Sequence, residues 1–119
     1  MPAAERRVPA PRGVGLGRDD RMILLDSIGR VIVYTKDGKL EKQWWMPAYD
    51  VGRPEGALQL RDGRIAVADT HYHRVVYFDD TGNVLSMHGT LGEGTGQFIY
   101  PVAIAEDDKG CLYVAEYGS

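Results

Sequence analysis

Hydrophobic and polar positions alternate along this chain in short runs. Met22-Ile23-Leu24-Leu25, Val31-Ile32-Val33-Tyr34, Ile65-Ala66-Val67-Ala68, Val75-Val76-Tyr77-Phe78 and Leu112-Tyr113-Val114-Ala115 are each flanked by polar turn-forming residues. Runs of this length, rich in Val, Ile and Tyr, specify β-strands. No segment sustains a helical period with a cap, so no helix is expected. Gly38, Gly63 and Gly82 follow Asp or Thr. There they supply the positive φ that tight turns demand.

The runs repeat. Pro11, Pro54 and Pro101 are 43 and 47 residues apart, and each is followed fifteen residues later by an acid, Asp26, Asp69 or Glu116. Each segment opens with small and apolar residues, turns at 18–21, 61–64 or 107–110, and runs into the acid. The first two segments then continue in parallel, with Arg30 matching Arg74 and the turn at 36–39 matching that at 80–83. Each full unit reads as four antiparallel strands: 13–17, 21–26, 30–35 and 40–45, then 56–60, 64–69, 74–79 and 83–88. A four-stranded unit of this size cannot bury both faces alone, whereas radial stacking covers each face with a neighbour, the logic of a β-propeller. Stacked open sheets or a sandwich would not explain the repeat spacing. The glycine-rich first strand of each unit suits the crowded axis, and Trp44 and Trp45 suit the wider rim. The expected fold class is all-β, with a terminal arm over 1–10, blades over 11–53 and 54–100, and the first half of a third over 101–119.

The stretch Pro54-Glu55-Gly56, Asp62 to Thr70, His73 to Asp79 and Gly82, with the linker Gly89, Gly92, Gly94, Gly96-Gln97-Phe98 and Pro101, resembles the NHL-repeat family of β-propellers. The resemblance covers about residues 11–119, strongest in the second repeat and most diverged in the first, whose turn Arg18-Asp19-Asp20-Arg21 lacks glycine. It implies rings of six blades in most relatives. A closed ring needs about twice the blades in this chain. The chain is therefore expected to be a fragment of a longer propeller or a subunit that associates to cover its ends, with an unpaired strand edge at Tyr113.

Composition narrows the function. At 119 residues, 44% hydrophobic and 26% charged, the chain reads as one small globular domain. Its longest apolar run, Cys111–Ala115, has five residues, too few for a membrane span or a secretory leader core. Arg6-Arg7 precedes Pro9 and Pro11 rather than the apolar stretch of a twin-arginine signal. Compartment stays open. The net charge of −3 gives nucleic-acid binding little support, although Arg6, Arg7, Arg12, Arg18 and Arg21 could form a local basic patch. The single cysteine, Cys111, makes no internal disulfide and is expected to be a buried small hydrophobe.

Candidate chemistry is sparse. His71 and His73 could chelate a metal, but no third ligand is spaced to join them, and they fall in the turn between the second and third strands. The pairs Asp26 with Arg30 and Asp69 with Arg74 recur in each full unit, so they are expected to pin turns structurally, since a catalytic pair is needed once. The glycine run 89–96 lacks the lysine and following helix of a phosphate loop and fits a crossover between blades. Trp44, Trp45 and Tyr49 suit inter-blade packing better than a binding platform. The residue after each repeat proline, Arg12, Glu55 or Val102, falls near the mouth of the central channel. Propellers resembling the peptide-amidating lyases hold zinc there through histidine, which none of these three is.

The expected function is therefore a non-enzymatic propeller segment that binds a protein partner or itself, with no cofactor. Its candidate binding residues are Arg12, Glu55, His71, Tyr72 and His73. The alternative is part of a lactonase- or lyase-like propeller enzyme with calcium or zinc on the axis, for which only Glu55 is well placed.

Overall fold

The polar turns fold each apolar run back against the one before it. In the computed structural model, residues 11–118 are described; the expected arm over 1–10 and Ser119 lie outside them. The first sheet holds β1 (Gly13–Leu16), β2 (Met22–Leu25), β3 (Arg30–Tyr34) and β4 (Leu40–Trp45) in sequence order, all antiparallel. The second repeats this with β5 (Gly56–Gln59), β6 (Ile65–Asp69), β7 (Arg74–Phe78) and β8 (Val84–His88). A short parallel pair, β9 (Thr90–Leu91) with β10 (Gln97–Phe98), lies in the linker. The antiparallel pair β11 (Pro101–Glu106) and β12 (Leu112–Glu116) follows. The eight strands expected in the two full units are all present, shortened by at most one residue at either end.

Strand alternation explains the stacking. Successive side chains of one strand point to opposite faces. Ile65 and Val67 of β6, with Val76 and Phe78 of β7, therefore join Ile23, Leu25, Val31 and Val33 of the first sheet in one core. Ala66, between Ile65 and Val67, and Val75, next to Val76, face the other way and pack with Ile104, Leu112 and Val114 of the third sheet. All five residues of β6 are buried, whereas β12 alternates half-buried and exposed positions. Among the described residues, the middle sheet alone has both faces covered, as radial stacking requires.

The innermost strands approach very closely. A Cβ on Gly13 would strike the carbonyl of Glu55, one on Gly15 the carbonyl of Ala57, and one on Gly56 the carbonyl of Val102. Only glycine lets these backbones meet. At the opposite end of the sheets, Trp44 fills the gap beside Phe78, with ring centroids 5.5 Å apart. Trp45 points the other way, is half-exposed, and rests on Tyr49 at 5.3 Å.

Three local features depart from expectation. Cys111 is exposed, because it ends the Asp107–Gly110 turn ahead of β12 rather than entering the sheet core. The linker over 89–96 is more ordered than a simple crossover. Gln97 Oε1 accepts from the Gly94 amide at 3.0 Å, and its Nε2 donates to the Leu91 carbonyl at 3.2 Å. The first turn does without glycine by placing Asp19 and Asp20 at positive φ (56° and 61°).

Candidate functional site

The site is built on the turn between β6 and β7. Thr70–Tyr72 form one 3-10 turn, and His73 takes a left-handed conformation (φ 54°) before β7 begins. Under the turn, Arg74 Nε donates to Asp69 Oδ2 at 2.8 Å. The carboxylate is fully buried, and its other oxygen has no hydrogen-bond partner. Burial pushes the Asp69 carboxyl up from the ordinary aspartate range, and Arg74 only partly opposes this.

Each turn side chain reaches a different neighbour. Tyr72 Oη accepts from the Val51 amide at 2.9 Å, and the Arg74 guanidinium sits over the Tyr72 ring at 4.8 Å. His73 Nδ1 accepts from the Tyr100 amide at 3.1 Å, with the two rings 4.7 Å apart. His71 lies against Gly52, where any Cβ would collide with the ring. Its Nε2 is 4.0 Å from Glu55 Oε2.

Glu55 and His71 thus face one open cleft of about 380 Å3, whose other walls are Thr70, Tyr100, Val102 and Tyr117. Mostly apolar walls with a few convergent polar groups are what a ligand pocket needs. Of the five candidate binding residues, Glu55 and His71 line this cleft. Tyr72 and His73 stand behind it as ties to adjacent loops. Arg12 is exposed on the first sheet and is not among the lining residues. Thr70, Tyr100 and Tyr117 also line the cleft and are not among the candidate residues that the sequence pattern singles out. Val102 was marked through its place after a repeat proline, and the residue before that proline, here Tyr100, carries the same signal.

The recurrent charged pairs are held tightly. Arg30 Nε donates to Asp26 Oδ2 at 2.6 Å, and Asp26 Oδ1 accepts from the amides of Ile28 and Arg30. Glu116, in the same repeat position, accepts from the Ile99 amide at 2.7 Å. Pro54 and Pro101 are buried at the entry to their sheets, and Pro11 is exposed. Arg18 donates to the Arg61 carbonyl, and Arg21 forms a two-pronged pair with Glu41, so neither guanidinium projects freely as part of a basic patch. Among the described residues, no group of three or more His, Cys, Asp or Glu is placed to hold a metal ion. No helix among them is long and apolar enough to cross a membrane.

The fold defines the class: consecutive blades of a β-propeller. No family model and no curated protein matches the sequence. Solved structures do match its shape. A protein of unknown function from Bacteroides caccae shares 21% identity at a TM-score of 0.61 over 91% of this chain. Virginiamycin B lyase from Staphylococcus aureus shares 16% at 0.70 over 91%, and a streptogramin B lyase shares 18% at 0.70 over 89%. This chain spans 34% to 39% of the length of those structures. At such identity the likeness carries the fold alone.

Proposed function

We propose that this chain is an NHL-type propeller segment acting as a binding module, with a protein partner seated on the loop face that carries the cleft. The observation that supports this reading most is the division of labour within one turn. Tyr72 and His73 are committed to holding neighbouring loops and Arg74 to Asp69 beneath the turn, while His71 and Glu55 are left on an apolar-walled opening. A rigid platform with a few uncommitted polar groups is the usual arrangement for recognition. The test is a peptide-array screen with the intact chain. Hits should be lost with His71→Ala and with Glu55→Gln at unchanged melting temperature, and kept with Cys111→Ser. Hits that survive both cleft substitutions would remove the cleft from the reading.

One observation favours a second reading, part of a metal-dependent lyase- or lactonase-like propeller enzyme. The cleft brings a carboxylate and an imidazole together, the pair general acid–base chemistry uses, and lyases are among the structural neighbours. Stoichiometric calcium or zinc in purified protein, with activity lost in Glu55→Gln, would favour this reading over the first.

A further inference from the structure

Two features of the cleft define the kind of group it would receive. The first is the Glu55 carboxylate. Its backbone is fixed: the Glu55 amide donates to the Ala68 carbonyl at 3.2 Å, and the Glu55 carbonyl lies where a Cβ on Gly13 would fall. Its side chain is left 36% exposed. Its one ion-pair neighbour among the described residues, His71 Nε2, stands at 4.0 Å, outside hydrogen-bond distance. Among the described residues, nothing donates a hydrogen bond to this carboxylate.

The second is the Tyr100 ring. Tyr100 holds φ 50°, the left-handed side that a bulky residue seldom takes. Glycine would sit there without strain, so the strain goes with keeping a ring at the cleft wall. The Tyr100 amide donates to His73 Nδ1, the His73 ring backs Tyr100 from behind the cleft at 4.7 Å, and His71 meets it edge-on at 5.6 Å.

A carboxylate without a donor beside a pinned tyrosine ring is a site for a planar organic cation. A guanidinium can lie on the ring and send its N–H fork to the carboxylate, a pairing that a compact ammonium does not match. The molecule uses the ring half of this contact elsewhere: Arg53 lies over Tyr49 at 5.9 Å, Arg64 over Tyr77 at 4.9 Å and Arg74 over Tyr72 at 4.8 Å. A metal ion fits less well, because among the described residues Glu55 and His71 have no third metal ligand beside them. Resting on the reading of the cleft as a protein-binding site, we infer that the group it receives is an arginine side chain of the partner. Its guanidinium stacks on Tyr100 and donates to Glu55, and Thr70 and Val102 flank its methylene stem.

The probe is a short capped peptide with one arginine among alanines, titrated onto the isotope-labelled intact protein and followed by amide shifts. Its twin carries citrulline, the neutral isostere. Saturable shifts at Glu55, Thr70, His71 and Tyr100 are expected for arginine, with the citrulline twin at least about tenfold weaker. Glu55→Gln should remove most of that preference. Tyr100→Leu should weaken arginine binding about threefold, and Tyr100→Phe should keep it. Unchanged melting curves check that the variants fold, and the citrulline comparison stands without any variant. No saturable binding, equal affinity for the two peptides, or shifts away from the cleft would overturn the inference. So would free arginine binding as tightly as the peptide, the mark of a small-molecule site. Array peptides that need Glu55 but contain no arginine would overturn it while leaving the protein-binding reading intact. Array peptides indifferent to both Glu55 and His71 would remove both.

Discussion

The turns after β2 and β6 solve one problem in two ways. Both must carry the chain from a buried aspartate to an arginine that pairs with it. The first does so in three residues, Ser27-Ile28-Gly29, and the second in four, Thr70-His71-Tyr72-His73. The shorter turn wraps its amides around the acid, so Asp26 accepts from two backbone N–H groups and from the arginine. The longer one withdraws those amides, leaving Asp69 with the arginine and one unpartnered oxygen. In exchange, its side chains reach outward to Val51, Tyr100 and the cleft. One added residue lets the turn's own side chains reach neighbouring loops, whereas the shorter turn receives its tie on the backbone, Arg53 Nε donating to the Ser27 carbonyl at 2.7 Å, and the open cleft lies beside the turn that gives up local bonding.

Removing the acids puts the largest strain on this comparison. Asp26→Ala strands two amides and a half-buried guanidinium, a loss of about 3–5 kcal/mol. Asp69→Ala strands Arg74 but relieves an unpartnered buried oxygen, and is expected to cost about 1–3 kcal/mol. Urea unfolding of both variants measures the difference. Equal costs would mean that the backbone bonds to Asp26 contribute little.

The next effect concerns the residue that reverses each turn. Gly29 has φ 98°, and an added Cβ would crowd the Tyr49 ring, so Gly29→Ala should cost about 2 kcal/mol. His73 holds φ 54° with a full side chain. His73→Gly eases that backbone but deletes the acceptor for the Tyr100 amide, so its net cost should fall within about 0.5 kcal/mol of zero. Faster exchange of the Tyr100 amide at nearly unchanged stability would identify the lost tie. An unchanged exchange rate would show that the tie contributes nothing.

These particulars also show what the sequence could and could not disclose. The main strands were legible because binary alternation and Asp-Gly or Thr-Gly turns fix them locally; Asp79 binding Thr81 and Asn83 is such a turn. The pair β9–β10 was not legible, since two-residue strands carry no alternation and depend on Gln97 bridging the linker. Cys111 was misplaced because its apolar neighbours hid the turn ending just before β12. For the site, Glu55 and His71 could be picked out as residue types at special places. Their meeting with Tyr100 and Tyr117 depends on how two sheets stack, which no local pattern encodes.

The smallest effect is electrostatic. Asp69 is raised chiefly by burial, so the folded state holds its proton more tightly than the unfolded chain does. Its contribution to stability is therefore greatest below the unfolded aspartate range and is lost as pH rises through the elevated folded value. Asp79 and Asp107 have the opposite sign. Hydrogen bonds from each turn hold both carboxyls below their ordinary range, Asp79 through the backbone and side chains of Asn83 and Thr81, and Asp107 through the Cys111 amide, the Tyr113 hydroxyl and the Lys109 amide. Their contributions are present above that range and vanish as acid protonates them. The whole chain should lose stability in acid while Asp69 pulls the other way. Asp69→Asn isolates that pull: the stability of the variant minus that of the parent should fall as pH drops from 7 towards 4, read as the difference between two urea-unfolding series. A difference that stays flat with pH would mean that Asp69 titrates as an ordinary carboxylate, and that the longer turn costs its buried acid nothing.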